Sequence, residues 1–418
     1  MKAVLAIPGG VVSRLLSREI CGIPLFARTL ATAQRAGVRE FLILWSDSGL
    51  EAAIRCNLQS PPLKSGSNFH FLSVNGFDPE FQSSWSSVLP ELPDRFLWIP
   101  WKWVTDARGL KQLPLCHHIP LDWREPALVE KSAVIHWSEI PLLSEPPIPE
   151  AEARIGVAVT SEETAADAER LLVRRSGKVL DGIHTSFNRR LCWPMVRWLT
   201  HTRITPNAVT LGGVVVSIVS SLLFSRGTYW SSVAGALLFF IAGLFDEMDG
   251  MLARLRFADS AFGTWFEGVA DGLSYLLLFG GIAAGLLRRY GQAEVIPGLA
   301  LLCGTVMSLV VLFLQRKRAT HPDRPHEHLG KFYTLLEKDS SNLVSRVVRR
   351  IQPFQKRGVL IHYVVLFTVC GGLQVLYYLA ILGSHLTWSL ALYFNGRFYR
   401  EPVKPMIQNS ARSAQEAL

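Results

Sequence analysis

Acidic side chains set between apolar runs of membrane length constrain this chain more than any other feature. Residues 246 to 254 read DEMDGMLAR, eight residues follow, and residues 263 to 271 read GTWFEGVAD. Apolar stretches flank both halves, Ser231–Leu244 before the first and Gly272–Leu287 after the second. At roughly 100° per residue, Asp246, Asp249, Gly250, Ala253 and Arg254 share about 140° of one helix face, and Gly263, Glu267 and Asp271 stack on one face of the next helix. Two facing helices therefore converge four carboxylates. Each carboxylate within a span costs roughly 2.5–3.5 kcal/mol, so four cost on the order of 10 kcal/mol before their mutual repulsion. One or two divalent cations remove both penalties, and an all-carboxylate donor set favours Mg²⁺ or Mn²⁺. Gly250 and Gly263 leave room for a bulky ligand or a close helix neighbour. The blander alternative is a charged helix-loop-helix at the membrane surface.

These residues carry a resemblance. The stretch resembles the motif of the CDP-alcohol phosphotransferase family, D-x2-D-G-x2-A-R-x8-G-x3-D-x3-D, with every spacing matched and Glu267 standing where the family has its third Asp. The resemblance implies a six-helix membrane enzyme that displaces CMP from a CDP-linked alcohol. It implies that Asp246, Asp249, Glu267 and Asp271 surround the metal ions, two in the family. It further implies that Asp246, Asp249, Gly250, Ala253, Arg254 and Gly263 meet the CDP moiety, and that Asp271 is the catalytic base for the acceptor hydroxyl. Basic residues beside the metals take a phosphorylated acceptor in such enzymes. Arg316, Lys317 and Arg318 on one side, and Lys356 and Arg357 on the other, are placed for that role, with Arg318 and Arg357 as the named candidates. The positive-inside rule demands the same residues.

The remaining composition fits a chain that is part membrane and part soluble: 418 residues, 18% charged, with a mean hydropathy of +0.23. The net charge of +9 is distributed in a way that points to anionic lipid and phosphate-bearing substrates, not to nucleic acid. The six cysteines, at 21, 56, 116, 192, 303 and 370, form no CxxC pair and read as reduced structural residues. The opening MKAVLAIPGG has too short an apolar run for a signal peptide and reads as a first strand.

Residues 1–175 are expected to form an α/β domain with a mostly parallel sheet. The expected strands are Lys2–Ile7, Glu40–Ser46, Phe69–Val74, Arg95–Pro100, Ala133–Trp137 and Ile155–Thr160, with a helix at Pro24–Gly37. This opening resembles Rossmann-like nucleotidyltransferases that activate sugar or inositol phosphates with CTP. Their chemistry is missing at matched positions. The loop Gly9-Gly10-Val11-Val12 is irregular, although Arg14 can supply its basic residue. Ile23 replaces a Lys before Pro24-Leu25, and Lys102 stands near the metal-binding Asp. The domain is accordingly read as nucleotidyltransferase-like and inactive. The order of domains resembles bifunctional enzymes that pair an inositol-phosphate cytidylyltransferase with synthesis of a di-myo-inositol phosphate precursor.

Residues 176–205 are expected to be a juxtamembrane segment whose amphipathic helix, Asp181–His201, lies on the membrane surface. Thr205-Pro206-Asn207 caps the first span. Residues 206–400 are expected to carry six spans, about 207–225, 231–254, 261–287, 294–315, 358–374 and 376–394, and 401–418 a polar tail. About eleven Lys or Arg lie between 316 and 357. The positive-inside rule then puts that segment, both termini and the acidic site on the cytosolic side of an inner membrane. The pair His117-His118 and the stretch HPDRPHEH (321–328) read as solvated loops. The expected partners are a CDP-alcohol, a hydroxyl acceptor and the bilayer, with a homodimer left open. Two competing readings remain. One is a catalytically impaired scaffold of the same fold, motivated by Glu267. The other is an ion pathway, which predicts carboxylates strung along the span, not bunched at one end.

Overall fold

The computed structural model describes residues 2–8, 13–46, 48–59, 62–63, 66–113, 115–116, 123–139, 156–177, 183–319, 328–339, 341–351 and 357–399. The Gly9–Val12 loop, His117-His118, residues 321–327, Lys356, the tail after 400 and the side chain of Arg357 lie outside the described residues. The chain divides into two compact units: residues 1–177 with 193–203 and 251–258, and residues 178–192 with 204–250 and 259–418.

The first unit holds a six-stranded sheet. Its strands are β1 (Lys2–Ile7), β2 (Glu40–Trp45), β3 (Asn68–Ser73), β4 (Arg95–Trp98), β5 (Leu115–Cys116) and β6 (Ala127–Glu130), in the order β3-β2-β1-β4-β6-β5. Every pairing is parallel except β4 with β6. β1 and β2 are almost wholly buried, as near-continuous apolar runs in a parallel sheet should be. Helices of eight residues or more are α1 (Leu25–Ala36), α2 (Glu51–Leu58), α3 (Lys131–Glu139) and α4 (Glu162–Arg175). α1 stops where Gly37 takes φ 104°, a left-handed turn that an L side chain resists, and its N–H returns to Gln34 O.

One correction to the expected strands arises here. Ala133–Trp137 lies in α3, and the strand is the preceding Ala127–Glu130. A five-residue apolar run cannot distinguish the two periods, and antiparallel pairing of Ala127–Glu130 with β4 decides between them. The core on one side of the sheet is aromatic: Trp85 stacks on Trp123 at 4.3 Å, and Trp98 donates its indole N–H to Trp123 O at 2.9 Å.

Arg28 is fully enclosed in this unit. It donates to Ile20 O (2.8 Å) and Leu255 O (2.6 Å) and lies over the Phe257 ring. Removing it strands two buried carbonyls. Arg28→Ala is therefore expected to destabilise the unit by roughly 3 kcal/mol. A melting temperature of the purified chain equal to wild type would contradict that role.

The second unit is helical. Its elements are α5 (Ile183–Thr200, shared with the first unit), α6 (Pro206–Phe224), α7 (Tyr229–Leu255, whose last turn belongs to the first unit), α8 (Ala261–Tyr290), α9 (Val295–Ala319), α10 (His328–Lys338), α11 (Leu343–Ile351), α12 (Arg357–Val369) and α13 (Leu373–Phe398). Four stretches among the described residues are long and apolar enough to cross a membrane: Pro206–Phe224, Tyr229–Leu255, Ala261–Ala319 and Leu373–Phe398. The third contains α8 and α9, joined by the tight turn Gly291–Glu294. α12 has only 13 residues, about 20 Å against a hydrocarbon layer of about 30 Å. The break after it falls at Cys370–Gly372, earlier than the expected turn around Gln374, because Gly371 adopts φ 74° there and Gln374 is already helical.

Large apolar side chains such as Leu211, Val215, Leu222, Ile296, Leu299 and Leu382 point outward, the arrangement a lipid-facing bundle requires. Inside, small residues bring helices together. Ser221 donates to Leu277 O (2.6 Å) across α6 and α8, and Ser220 to Gly235 O (2.7 Å) across α6 and α7. α5 carries Phe187, Leu191, Met195 and Trp198 about half exposed along one stripe, the pattern of a helix lying on a bilayer.

Candidate active site

α7 has 27 residues and α8 has 30, and the connection between them is short, so the end of one and the start of the other lie together. The carboxylates occupy that end. Asp246, Asp249 and Glu267 each offer an oxygen within 4.8 Å of the other two. Asp271 joins Asp246 and Asp249 in lining one recess, closed by Thr210, Gly213 and Val214 of α6, Ala242 of α7, and Ala270 and Ser274 of α8. The two sequence faces thus meet as their spacing requires, and Glu267 is inside the cluster.

Asp249 is 4% exposed and accepts the Thr210 hydroxyl. That hydroxyl also reaches Pro206 O (3.2 Å), which orients it. Ser217 bonds Ser274 at 3.2 Å beneath the recess, tying α6 to α8. α6 approaches α7 closely because Gly213 lacks a side chain: a Cβ there would sit 3.0 Å from Phe245 Cβ. Thr205 caps α6 by accepting from Ala208 N (3.2 Å), as the TPN step suggests, and Ser260 caps α8 by accepting from Gly263 N (2.9 Å). A Cβ on Gly263 would lie 3.1 Å from Ser260 Oγ and 3.5 Å from Asn207 Oδ1, so this glycine keeps the first turn of α8 open beside α6.

Glu247, adjacent in sequence to Asp246, faces elsewhere. It pairs with Arg189 of α5 at 3.0 Å, and both side chains are largely buried. Cys192, one turn along α5, reaches Leu244 O at 3.6 Å, and burial pushes its thiol up to about 12. Burial likewise raises Cys21 to about 11, and Cys21, Cys56, Cys192, Cys303 and Cys370 are free thiols. Both are inert structural thiols.

The other predicted site residues are distributed as follows. Gly250 is half-buried on α7. Ala253 and Arg254 fall in the first unit, where Arg254 Nε donates to Ser176 O (2.6 Å). Arg316 lies with a guanidinium nitrogen beside Gly268, the residue after Glu267: a Cβ on Gly268 would be 3.2 Å from it. Arg318 is exposed at the end of α9. Thr210, Ser274 and the Arg189–Glu247 pair were not marked by spacing. Hydroxyls are frequent in spans, and nothing in a single sequence distinguishes the one that meets a carboxylate.

Residues 203–369 match the CDP-alcohol phosphatidyltransferase family, so the C-terminal region carries a domain of that family. The similar proteins include the phosphatidylinositol phosphate synthase of Mycobacterium marinum, 30% identical over 129 residues, 31% of this chain and 53% of that protein. The archaetidylinositol phosphate synthase of Methanothermobacter thermautotrophicus is 35% identical over 103 residues, 24% of this chain and 49% of that protein. The bifunctional IPC transferase and DIPP synthase of Aquifex aeolicus is 28% identical over 149 residues, 35% of this chain and 33% of that protein. The chain spans about half or less of the length of each of these relatives.

Proposed function

We propose that this chain transfers the phospho-alcohol moiety of a CDP-alcohol to a hydroxyl acceptor with release of CMP, in phospholipid or inositol-type phospho-polyol synthesis. The observation that carries the reading is the convergence of Asp246, Asp249 and Glu267, with Asp271 on the same recess, inside the segment that matches the family. The relatives' names supply the inositol-type acceptor. In this reading α6–α9, α12 and α13 form one six-helix membrane domain, with the site and both termini on the cytosolic side.

The donor set fits Mg²⁺ or Mn²⁺, since hard carboxylate oxygens from two helices converge within 4.8 Å of one another. Asp246, Asp249 and Glu267 would hold the ions, with Asp271 completing the set. Bound there, two such ions would neutralise the diphosphate and the charge that develops on the oxygen leaving with CMP. Thr210 holds Asp249 in place through its hydroxyl. The open turn at Gly263 admits the nucleotide. Asp271 takes the proton of the acceptor hydroxyl as its oxygen bonds to the phosphorus nearer the alcohol and the bond to CMP breaks. Arg316, whose guanidinium lies beside Gly268, is the cation that takes an acceptor phosphate in this reading, with Arg318 and Arg357 as the further candidates from the sequence. Chelation of divalent metal is expected to stop CMP release, and Mg²⁺ or Mn²⁺ to restore it. Full turnover in chelator would overturn the assignment.

In the first unit, Ile23 is buried in the two-residue ladder with Glu19-Ile20. The acid that follows Lys102 in sequence, Asp106, is engaged by Arg108 (3.1 Å) and Arg175 (3.2 Å). These occupations support a unit that does not transfer nucleotides. The full chain given CTP and inositol phosphate should form no CDP-linked product, and detection of one by mass spectrometry would reverse that conclusion.

A further inference from the structure

The connection between α9 and α12 contains α10 and α11, and both are fastened to the last turns of α13. Arg397 donates through Nε and Nη2 to Asp339 (2.8 and 2.7 Å), and Asn342 Nδ2 donates to the Tyr393 hydroxyl (2.7 Å). Phe332 meets the rings of Phe394 and Phe398 at 5.4 and 6.2 Å. The Arg397 guanidinium and the Ser345 hydroxyl hold the Asp339 carboxyl down to about 2, so the clamp stays charged at neutral pH. α13 is a candidate span, and a helix clamped to the end of a span sits where hydrocarbon gives way to water.

α11 reads LVSRVVRRI. At roughly 100° per residue, Leu343, Val344, Val347 and Val348 occupy about 140° of its circumference, and Arg346, Arg349 and Arg350 about 100° on the other flank. Ser345 turns inward: it is buried and donates to Asp339 Oδ2 at 2.7 Å. Leu343 and Val347 lie opposite Ser345 and are 67% and 46% exposed. The three arginines are exposed as well. The outward face therefore pairs bare apolar groups with cations, and its clamp at the end of α13 sets its depth.

We propose that α11 is an interfacial helix that docks on anionic lipid headgroups. Leu343 and Val347 enter the acyl boundary, and Arg346, Arg349 and Arg350 hold headgroup phosphates. Each basic residue near an anionic surface shifts docking by roughly fivefold, so the three together give a dependence on the order of a hundredfold. This reading does not rest on the chemistry proposed for the acidic site.

The test uses the full chain carrying Val347→Cys with a polarity-sensitive fluorophore, in nanodiscs of phosphatidylcholine with or without phosphatidylglycerol. Wild-type protein labelled in parallel gives the signal of the exposed Cys56, Cys303 and Cys370. The expected result is a blue shift, and quenching by nitroxide-labelled acyl chains, that grow with phosphatidylglycerol content and fall with salt. Arg346→Gln, Arg349→Gln and Arg350→Gln together should remove the lipid dependence while the melting temperature stays unchanged. Three results would overturn the proposal: a label equally wet in both nanodiscs, one equally buried in both, or burial in detergent that rises with protein concentration, which would make the occupant a second copy.

Discussion

Asp249→Asn and Asp271→Asn are each expected to lower CMP release on the order of a thousandfold and to leave the chain folded. Both substitutions keep volume, and Asp249→Asn keeps a group that can meet the Thr210 hydroxyl. Asp249→Asn removes one negative charge from the Asp246–Asp249–Glu267 cluster, and Asp271→Asn removes one from the recess that Asp246 and Asp249 also line. Loss of one preorganised electrostatic contact costs about 10²–10³ in rate, and loss of a general base about 10²–10⁴. Stability should move the other way. Without metal the carboxylates repel one another in a poorly solvated recess, so neutralising one relieves the fold and does not injure it. The pairing of lost turnover with an unchanged or higher melting temperature distinguishes a catalytic carboxylate from a structural one. Wild-type turnover in either variant would remove that residue from the site.

Glu267→Asp is expected to preserve or raise activity, and Glu267→Gln to lower it sharply. Glu267 lies one turn before Asp271 on α8 and shares the cluster with Asp246 and Asp249. If its charge holds metal, the neutral Gln amide is a weaker ligand, and the Gln variant needs more Mg²⁺ or Mn²⁺ to reach half-maximal rate. The shorter Asp side chain restores the family's arrangement unless α7 and α8 are spaced to suit the longer one. A misplacement of about 1 Å is worth roughly a hundredfold in rate, so the Asp variant also reports that spacing. Two silent substitutions, with unchanged metal dependence, would make Glu267 a surface charge and favour the reading of an impaired scaffold.

Much of this site was legible in the sequence because helical periodicity is local. The three- and four-residue intervals between Asp246, Asp249, Glu267 and Asp271 assign them to faces before any packing is known, and two apolar helices joined by a short turn must bring those faces to the same end. The strands Lys2–Ile7 and Glu40–Trp45 were legible for a similar reason, since long apolar runs bounded by turns have few alternatives. What could not be read depends on partners distant in the chain. Whether Ala127–Glu130 or Ala133–Trp137 forms the strand beside β4 is settled by pairing with β4. Thr210 gains its role from Asp249, which lies 39 residues away. The role of Glu247 is set by Arg189 of α5, 58 residues earlier in the chain. The end of α12 is set by the positive φ of Gly371, which a hydropathy count passes over.

The most direct measurement of the central claim is CMP release by the purified full chain in detergent, given a panel of CDP-alcohols with inositol phosphate and other hydroxyl acceptors. CMP is expected to form in step with a phosphodiester of one donor–acceptor pair, dependent on Mg²⁺ or Mn²⁺ and absent in Asp249→Asn. A folded, metal-supplied protein that releases no CMP from any CDP-alcohol, or releases it equally well in Asp249→Asn, would contradict it.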